Sequence, residues 1–190
     1  FSWVAFALNQ VMQLDQAPRT RLATLGGHWG VLSDEVPGEC LADTAANENI
    51  QAYLNQAVHE RRIQPASLSE AEGFHFLIGD NDGWVGNFKV SAEGAIAGYD
   101  FDSAFEMTFA WHYGNPDSLG AALPRLYTPR FIQGLSRLTD AQIWRRTRPF
   151  PETARRQISF RRDMMLKDLA ERGEAAVLRE WEFPLETRRE

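Results

Sequence analysis

The sequence predicts an α+β fold, mostly helical, with a small helix and a β-hairpin at its N-terminal side. Three patterns carry this reading. Apolar residues recur at i, i+4, i+7 and i+8 within residues 2–14 and 44–60, the stripe of a half-buried helix. Two stretches, 20–33 and 88–99, read as strand, turn, strand. From Thr128 onward, capping residues and prolines stand where helices begin.

The first helix aligns Val4, Leu8, Val11 and Met12 on one side, and Pro18 ends the element. Thr20 to Leu25 alternates as a strand, Gly26-Gly27 supplies the turn, and His28 to Ser33 resumes the strand. The chain then leaves through Asp34-Glu35-Val36-Pro37-Gly38. Thr44 suits the cap of the next helix, whose stripe is Ile50, Leu54, Ala57 and Val58. Pro65, with Ser67 or Ser69, opens another helix that ends near Ile78-Gly79. After a loop come a short strand at Phe88-Lys89-Val90, a turn at Ala92-Glu93-Gly94, and a returning strand from Ala95 to Tyr99.

Irregular chain is expected from residue 107, with a turn at Asn115-Pro116-Asp117 and a loop holding Pro124 and Pro129. Three helices close the sequence. One starts at Thr128 or Pro129 and runs through Leu138, and Thr139-Asp140 caps the second. The third runs from Pro151 to about Arg172, with Ile158, Met165 and Leu169 along one side and Gly173 at its end.

Composition narrows the function classes. With 190 residues, 44% of them hydrophobic, the chain is long and apolar enough for one domain with its own core. Its formal charge of −6 disfavours general nucleic-acid binding, which needs a basic face. A single cysteine, Cys40, excludes an internal disulfide. No apolar run approaches the roughly 20 residues of a membrane span. The chain begins at Phe1 without an initiator Met, so it reads as N-terminally incomplete. A cytoplasmic location or that of a secreted effector is expected.

The segment Leu77-Ile78-Gly79-Asp80-Asn81-Asp82-Gly83-Trp84-Val85-Gly86-Asn87 carries the chemistry. Asp82 precedes Asn87 by five positions, and Tyr99-Asp100-Phe101-Asp102 follows after one hairpin. Phosphoryl transfer needs an oriented acceptor hydroxyl and neutralised phosphate charge. A loop carboxylate such as Asp82 can orient the acceptor and take its proton. An amide such as Asn87 and a carboxylate such as Asp100 are hard-oxygen ligands that suit magnesium. Asp102 lies two residues on, points the same way in an extended segment, and is a candidate second ligand. The same residues also suit a plain turn, since Asn81-Asp82-Gly83 is turn-forming and carboxylates are common in loops.

This part of the chain resembles the atypical kinase-fold enzymes: the phosphatidylinositol 3-/4-kinase-like group, the bacterial HipA-type kinases and the secretory-pathway kinases. Several of these run from a helix ending Leu-Ile-Gly-Asn/Asp into Asp-Arg-His-x-x-Asn, a hairpin and Asp. The likeness covers residues 2–106 and implies a protein-kinase-like fold, with residues 1–38 as the remnant of an N-lobe and hinge and 39–190 as the C-lobe. It implies ATP- and magnesium-dependent transfer to a hydroxyl of a protein or lipid. Asp82 is then catalytic, Asn87, Asp100 and Asp102 are metal ligands, and Val31, Leu32 and Ser33 lie on the hinge strand where adenine stacks. Departures are visible. Gly83-Trp84 replaces Arg-His, and neither a glycine-rich loop nor a lysine-bearing strand precedes the first helix. That absence keeps open a pseudokinase-like nucleotide-binding or interaction module without turnover, and a helical scaffold whose turn mimics the motif.

Other features carry less. His28, His59, His75 and His112 do not pair at metal spacing, and His75 is expected on a helix surface or in packing. The run Arg145, Arg146, Arg148, Arg155, Arg156, Arg161 and Arg162 reads as solvated helix faces or as a site for an acidic partner. Trp111-His112-Tyr113 and Trp181-Glu182-Phe183 read as packing aromatics.

Overall fold

Helix α1 (Ser2–Met12) turns Val4, Leu8 and Met12 into the core, as the stripe requires. It stops two residues before the expected end because Gln13 takes a left-handed backbone conformation, φ 59°. Buried Asn9 fixes the turn that follows. Its amide donates to the Leu14 carbonyl at 2.8 Å, and its Oδ1 accepts from the Gln16 N–H at 3.0 Å. The polar interruption in an apolar segment is therefore a turn organiser. The computed structural model describes residues 2–41, 50–80, 85–101, 104, 120 and 122–179.

The architecture is α+β. Strands β1 (Thr20–Leu25) and β2 (His28–Ser33) form an antiparallel hairpin of their own. Gly26 and Gly27 both have positive φ, 57° and 82°, which is the primed two-residue turn that matches strand twist. A second sheet orders β3 (Glu39–Cys40), β4 (Phe88–Val90) and β5 (Ile96–Gly98), all antiparallel. Strand β3 was not expected from sequence; two residues are too few to show alternation, and its partner Lys89 lies far along the chain.

The remaining helices are α2 (Ile50–His59), α3 (Pro65–Ile78), α4 (Pro129–Arg137), α5 (Asp140–Arg146) and α6 (Glu152–Arg172). The caps are those the sequence announces. Thr128 Oγ1 accepts from the Phe131 N–H at 3.0 Å, and Thr139 Oγ1 accepts from the Gln142 N–H at 3.3 Å. Pro151 is the residue before α6 rather than a member of its first turn. The predicted helix over 44–60 is described only from Ile50, and residues 42–49 lie outside the described residues.

Helix α3 is buried almost all round, from Leu68 to Ile78. On one side it meets α1, α4, α5 and α6 through Phe74, Leu77, Phe131, Leu135, Ile143, Ile158 and Met165. On the other it packs through Leu68 and Ala71 against Leu54 and Ala57 of α2, Phe88 and Ile96. Gly73 admits the Phe131 ring, since a Cβ there would lie 2.5 Å from its Cζ.

Burial makes an unpaired polar group costly, and the serine and both glutamates at the centre of this helix find partners. Ser69 donates to the Leu126 carbonyl at 2.7 Å. Glu72 takes Arg125, whose Nη2 is 2.6 Å from Oε1. Glu70 accepts from Thr128 Oγ1 at 2.8 Å, with Arg130 Nη1 at 3.8 Å. Burial still pushes the Glu70 carboxyl above its ordinary range, the Thr128 bond and Arg130 opposing it. A raised folded pKa means the folded state holds the proton more tightly. Glu70 therefore costs stability as pH rises from its unfolded value through its folded one. Glu70→Gln is expected to gain in melting temperature over wild type between about pH 4 and pH 7. A difference that stays flat across that range in thermal scans would refute the assignment.

Candidate functional site

Helix α3 ends by geometry suited to glycine. Gly79 sits at φ 64°, ψ 43°, and its N–H donates back toward the His75 and Phe76 carbonyls. The Asp80 N–H donates to the His75 carbonyl at 3.0 Å. This reversal folds the Asp80 side chain back under the helix, where Oδ2 lies 2.7 Å from His75 Nδ1. Both side chains are buried, 0% and 1% exposed, so the bond between them is shielded from water.

His75 is the hub of the site. Its ring stacks on Phe101 at 5.4 Å and 24°, and tilts against Phe88 at 4.6 Å. Phe88 follows Asn87, and Phe101 follows Asp100. One buried imidazole thus fixes the residue that opens the motif loop and the neighbours of two predicted metal ligands. Gly98 belongs to the same arrangement, because a Cβ there would stand 2.9 Å from His75 Nε2 and from Phe101 Cζ. Of the two expectations for His75, a packing role holds and a helix-surface place does not. The sequence signal was present: His75 lies in a helix whose neighbours Phe74, Phe76, Leu77 and Ile78 are all apolar.

The β4–β5 hairpin brings two of the predicted residues together. Phe88 pairs with Gly98, and the Tyr99 N–H donates to the Asn87 carbonyl at 3.0 Å. Asn87, at the end of a single 3₁₀ turn (Val85–Asn87), and exposed Asp100 therefore occupy the same end of the hairpin. Asp82 and Asp102 lie outside the described residues, as do Trp111-His112-Tyr113 and Trp181-Glu182-Phe183. Among the described residues no three His, Cys, Asp or Glu side chains gather to hold a metal ion.

Around that end stand residues that no motif announced. Tyr99 donates its hydroxyl to the Gly86 carbonyl, and Cys40 Sγ approaches the same oxygen at 3.7 Å. Lys89 lies 5.9 Å above the Tyr99 ring and 4.0 Å from Glu35 Oε1. Strand β3 makes this grouping, which is why spacing along the chain does not show it. Val31, Leu32 and Ser33 are on the outer hairpin, with Val31 47% and Leu32 52% exposed. Strand alternation puts Val31 and Ser33 on one face and Leu32 on the other. The Ser33 hydroxyl meets that of Thr20 at 3.1 Å.

Arg161 of α6 stands against Gly79. It is 8% exposed, and its Nη1 is enclosed with no hydrogen-bond partner among the described residues. Burial draws its pKa below the usual arginine range. The carbonyl end of α3, which carries partial negative charge, is the compensating field. Arg161 and the 9%-exposed Arg162, which donates to the Leu138 carbonyl at 2.8 Å, correct the expectation that this arginine run is a solvated face. A Cβ at Gly79 would fall 2.0 Å from Arg161 Nη1. Gly79→Ala is expected to cost about 2 kcal/mol, roughly half from the left-handed backbone and half from displacing the guanidinium. In an Arg161→Ala background the cost should fall to about 1 kcal/mol. Urea unfolding of the four-protein cycle measures this, and strict additivity would remove the contact from the account.

Comparison with protein-family models, with curated proteins and with solved structures finds no match to this chain.

Proposed function

We propose that this chain is the metal- and acceptor-binding part of a kinase-like phosphotransferase that moves the γ-phosphoryl group of ATP to a hydroxyl. The observation that carries the reading is the His75 hub, which holds the start of the motif loop beside the hairpin end bearing Asn87 and Asp100. An amide oxygen and a carboxylate on one hairpin end are a hard-oxygen pair of the kind magnesium takes, with water completing its shell. Asn87 and Asp100 hold the ion in this reading, and Asp102 adds a second carboxylate. Bound magnesium would neutralise phosphate charge, and ATP would supply the phosphoryl group. Asp82 orients the acceptor hydroxyl and takes its proton. Adenine lies along the strand segment Val31-Leu32-Ser33, meeting its backbone and the side chains of one face. The acceptor belongs to a protein or a lipid head group.

The test is transfer of radiolabelled phosphate from ATP and magnesium by the full-length protein. Asp82→Ala and Asp100→Ala should each lower the rate by about a hundredfold or more. Equal rates in wild type and both variants would sink the assignment.

A second reading has its own support. Gly83-Trp84 stands where the resembled kinases carry Arg-His in the loop motif. A nucleotide-binding module without turnover accommodates this. ATP and magnesium would then raise the melting temperature with no product formed, since a ligand that binds only the folded state stabilises it.

A further inference from the structure

Helix α1 carries a second stripe beside the one that enters the core. Trp3, Phe6, Ala7 and Gln10 fall at i, i+3, i+4 and i+7 and form one wall of a cleft of about 420 Å³. Arg145 and Arg146 of α5 form the other wall. A cleft of this size lies within the range that takes a ligand side chain or small molecule. Both rings are only half-buried, so the apolar wall stays open to solvent.

Charge sets the chemistry of what fits. None of the six lining residues is acidic, so two guanidiniums face an aromatic wall in a chain of formal charge −6. The neighbouring arginines are engaged elsewhere. Arg155 stacks 4.8 Å over the Trp144 ring and donates to the Phe150 carbonyl, Arg156 pairs with Glu152, and Arg162 pairs with Asp140 and Asp163. Arg145 donates only to the neutral Gln142 amide oxygen at 2.6 Å. Arg146 Nε is enclosed and has no hydrogen-bond partner among the described residues. An enclosed guanidinium N–H without an acceptor is costly, and an oxyanion is the partner its planar fork suits best.

We propose that the α1–α5 cleft binds a short acidic peptide segment of a protein partner. An oxyanion of that segment meets Arg145 and Arg146, and an adjacent aromatic side chain lies on Trp3 and Phe6. The oxyanion is a carboxylate or a phosphate; both offer the acceptor pair that arginine forks recognise. The site is independent of the phosphotransfer reading.

Three fluorescein-labelled peptides test it by anisotropy against the full-length protein. All carry a central Phe, flanked by Glu in the first, by phosphoserine in the second and by Gln in the third. The Glu or the phosphoserine peptide should bind, the tighter of the two naming the oxyanion, and the Gln peptide should bind at least tenfold more weakly. Affinity should fall with added salt. Arg145→Ala, an exposed position where folding is not at stake, and Arg146→Ala should each weaken binding about tenfold, the effect of losing one charge-assisted hydrogen bond. Phe6→Ala should weaken it too, and Arg156→Ala should leave it unchanged. Equal binding of the Gln peptide, retained affinity in Arg145→Ala, or no binding of any peptide at millimolar concentration would overturn the proposal.

Discussion

Replacing Arg125 by alanine is expected to destabilise the protein by about 3–5 kcal/mol, the cost of stranding one partner of a buried ion pair. The Arg125 and Glu72 side chains are 4% and 9% exposed. Arg125 Nη2 and Nε donate to Glu72 Oε1 at 2.6 and 3.0 Å, and Nη1 donates to Asn55 Oδ1 at 2.6 Å. The Arg125 carbonyl in turn accepts from Arg172 Nη2 at 2.7 Å, and Arg172 Nη1 pairs with Asp168 at 3.0 Å. One side chain thus ties α2, α3 and the approach to α4 together, and its backbone is held by α6. Removing it leaves the Glu72 carboxylate buried without its guanidinium. Folded domains hold only about 5–15 kcal/mol in total, so this is a large share.

Two controls separate the mechanism from mere loss of bulk. Glu72→Met with Arg125→Leu should recover most of the loss, because an apolar pair leaves no buried charge stranded. The solvent-facing pairs Arg156–Glu152 and Lys167–Glu171 should each contribute less than about 0.5 kcal/mol. Urea unfolding reads all of these. A cost below about 1 kcal/mol for Arg125→Ala would contradict the account.

The second large effect is expected at His75. His75→Ala should cost about 3–5 kcal/mol, since it removes a fully buried ring from between Phe88 and Phe101 together with its bond to Asp80. His75→Phe keeps a ring of similar breadth and loses only the bond, so about 2 kcal/mol is expected. The order wild type, His75→Phe, His75→Ala should also appear in amide exchange. The β4–β5 hairpin would lose protection before α6 does, because the ring supports that hairpin directly. If His75→Ala left hairpin protection unchanged, the ring would not be what positions Asn87 and Asp100.

The way these two sites escape a sequence reading is instructive. The partners of Ser69, Glu70 and Glu72 on α3 lie 53 to 58 residues away, at Arg125, Leu126 and Thr128. No local spacing records such a pairing. A glutamate in a helix reads as an exposed residue until the helix is known to be enclosed. The His75–Asp80 bond spans only five residues, yet it depends on Gly79 turning left-handed and on Phe88 and Phe101 closing over the ring. The arginine run shows the same limit in reverse. Its residues look alike in sequence, and the fold sends Arg161 and Arg162 inward, Arg155 and Arg156 to partners, and Arg145 and Arg146 to a cleft.

The sequence by itself marked the starts of helices α3 to α6 and the glycine ends of α3 and α6. Pro65 and Gly79, Thr128 with Pro129, Thr139, and Pro151 with Gly173 act on backbone groups within a turn of themselves, so their effects are readable locally. It also determined the Gly26-Gly27 hairpin and the placing of Asn87 and Asp100 on either side of a second one. Only the tertiary structure decided that α3 is the enclosed centre, that β3 brings Cys40 to Gly86, and that His75 ties Asp80 to Phe88 and Phe101. Those facts rest on burial and on contacts between distant segments, which exist only once the chain has closed on itself.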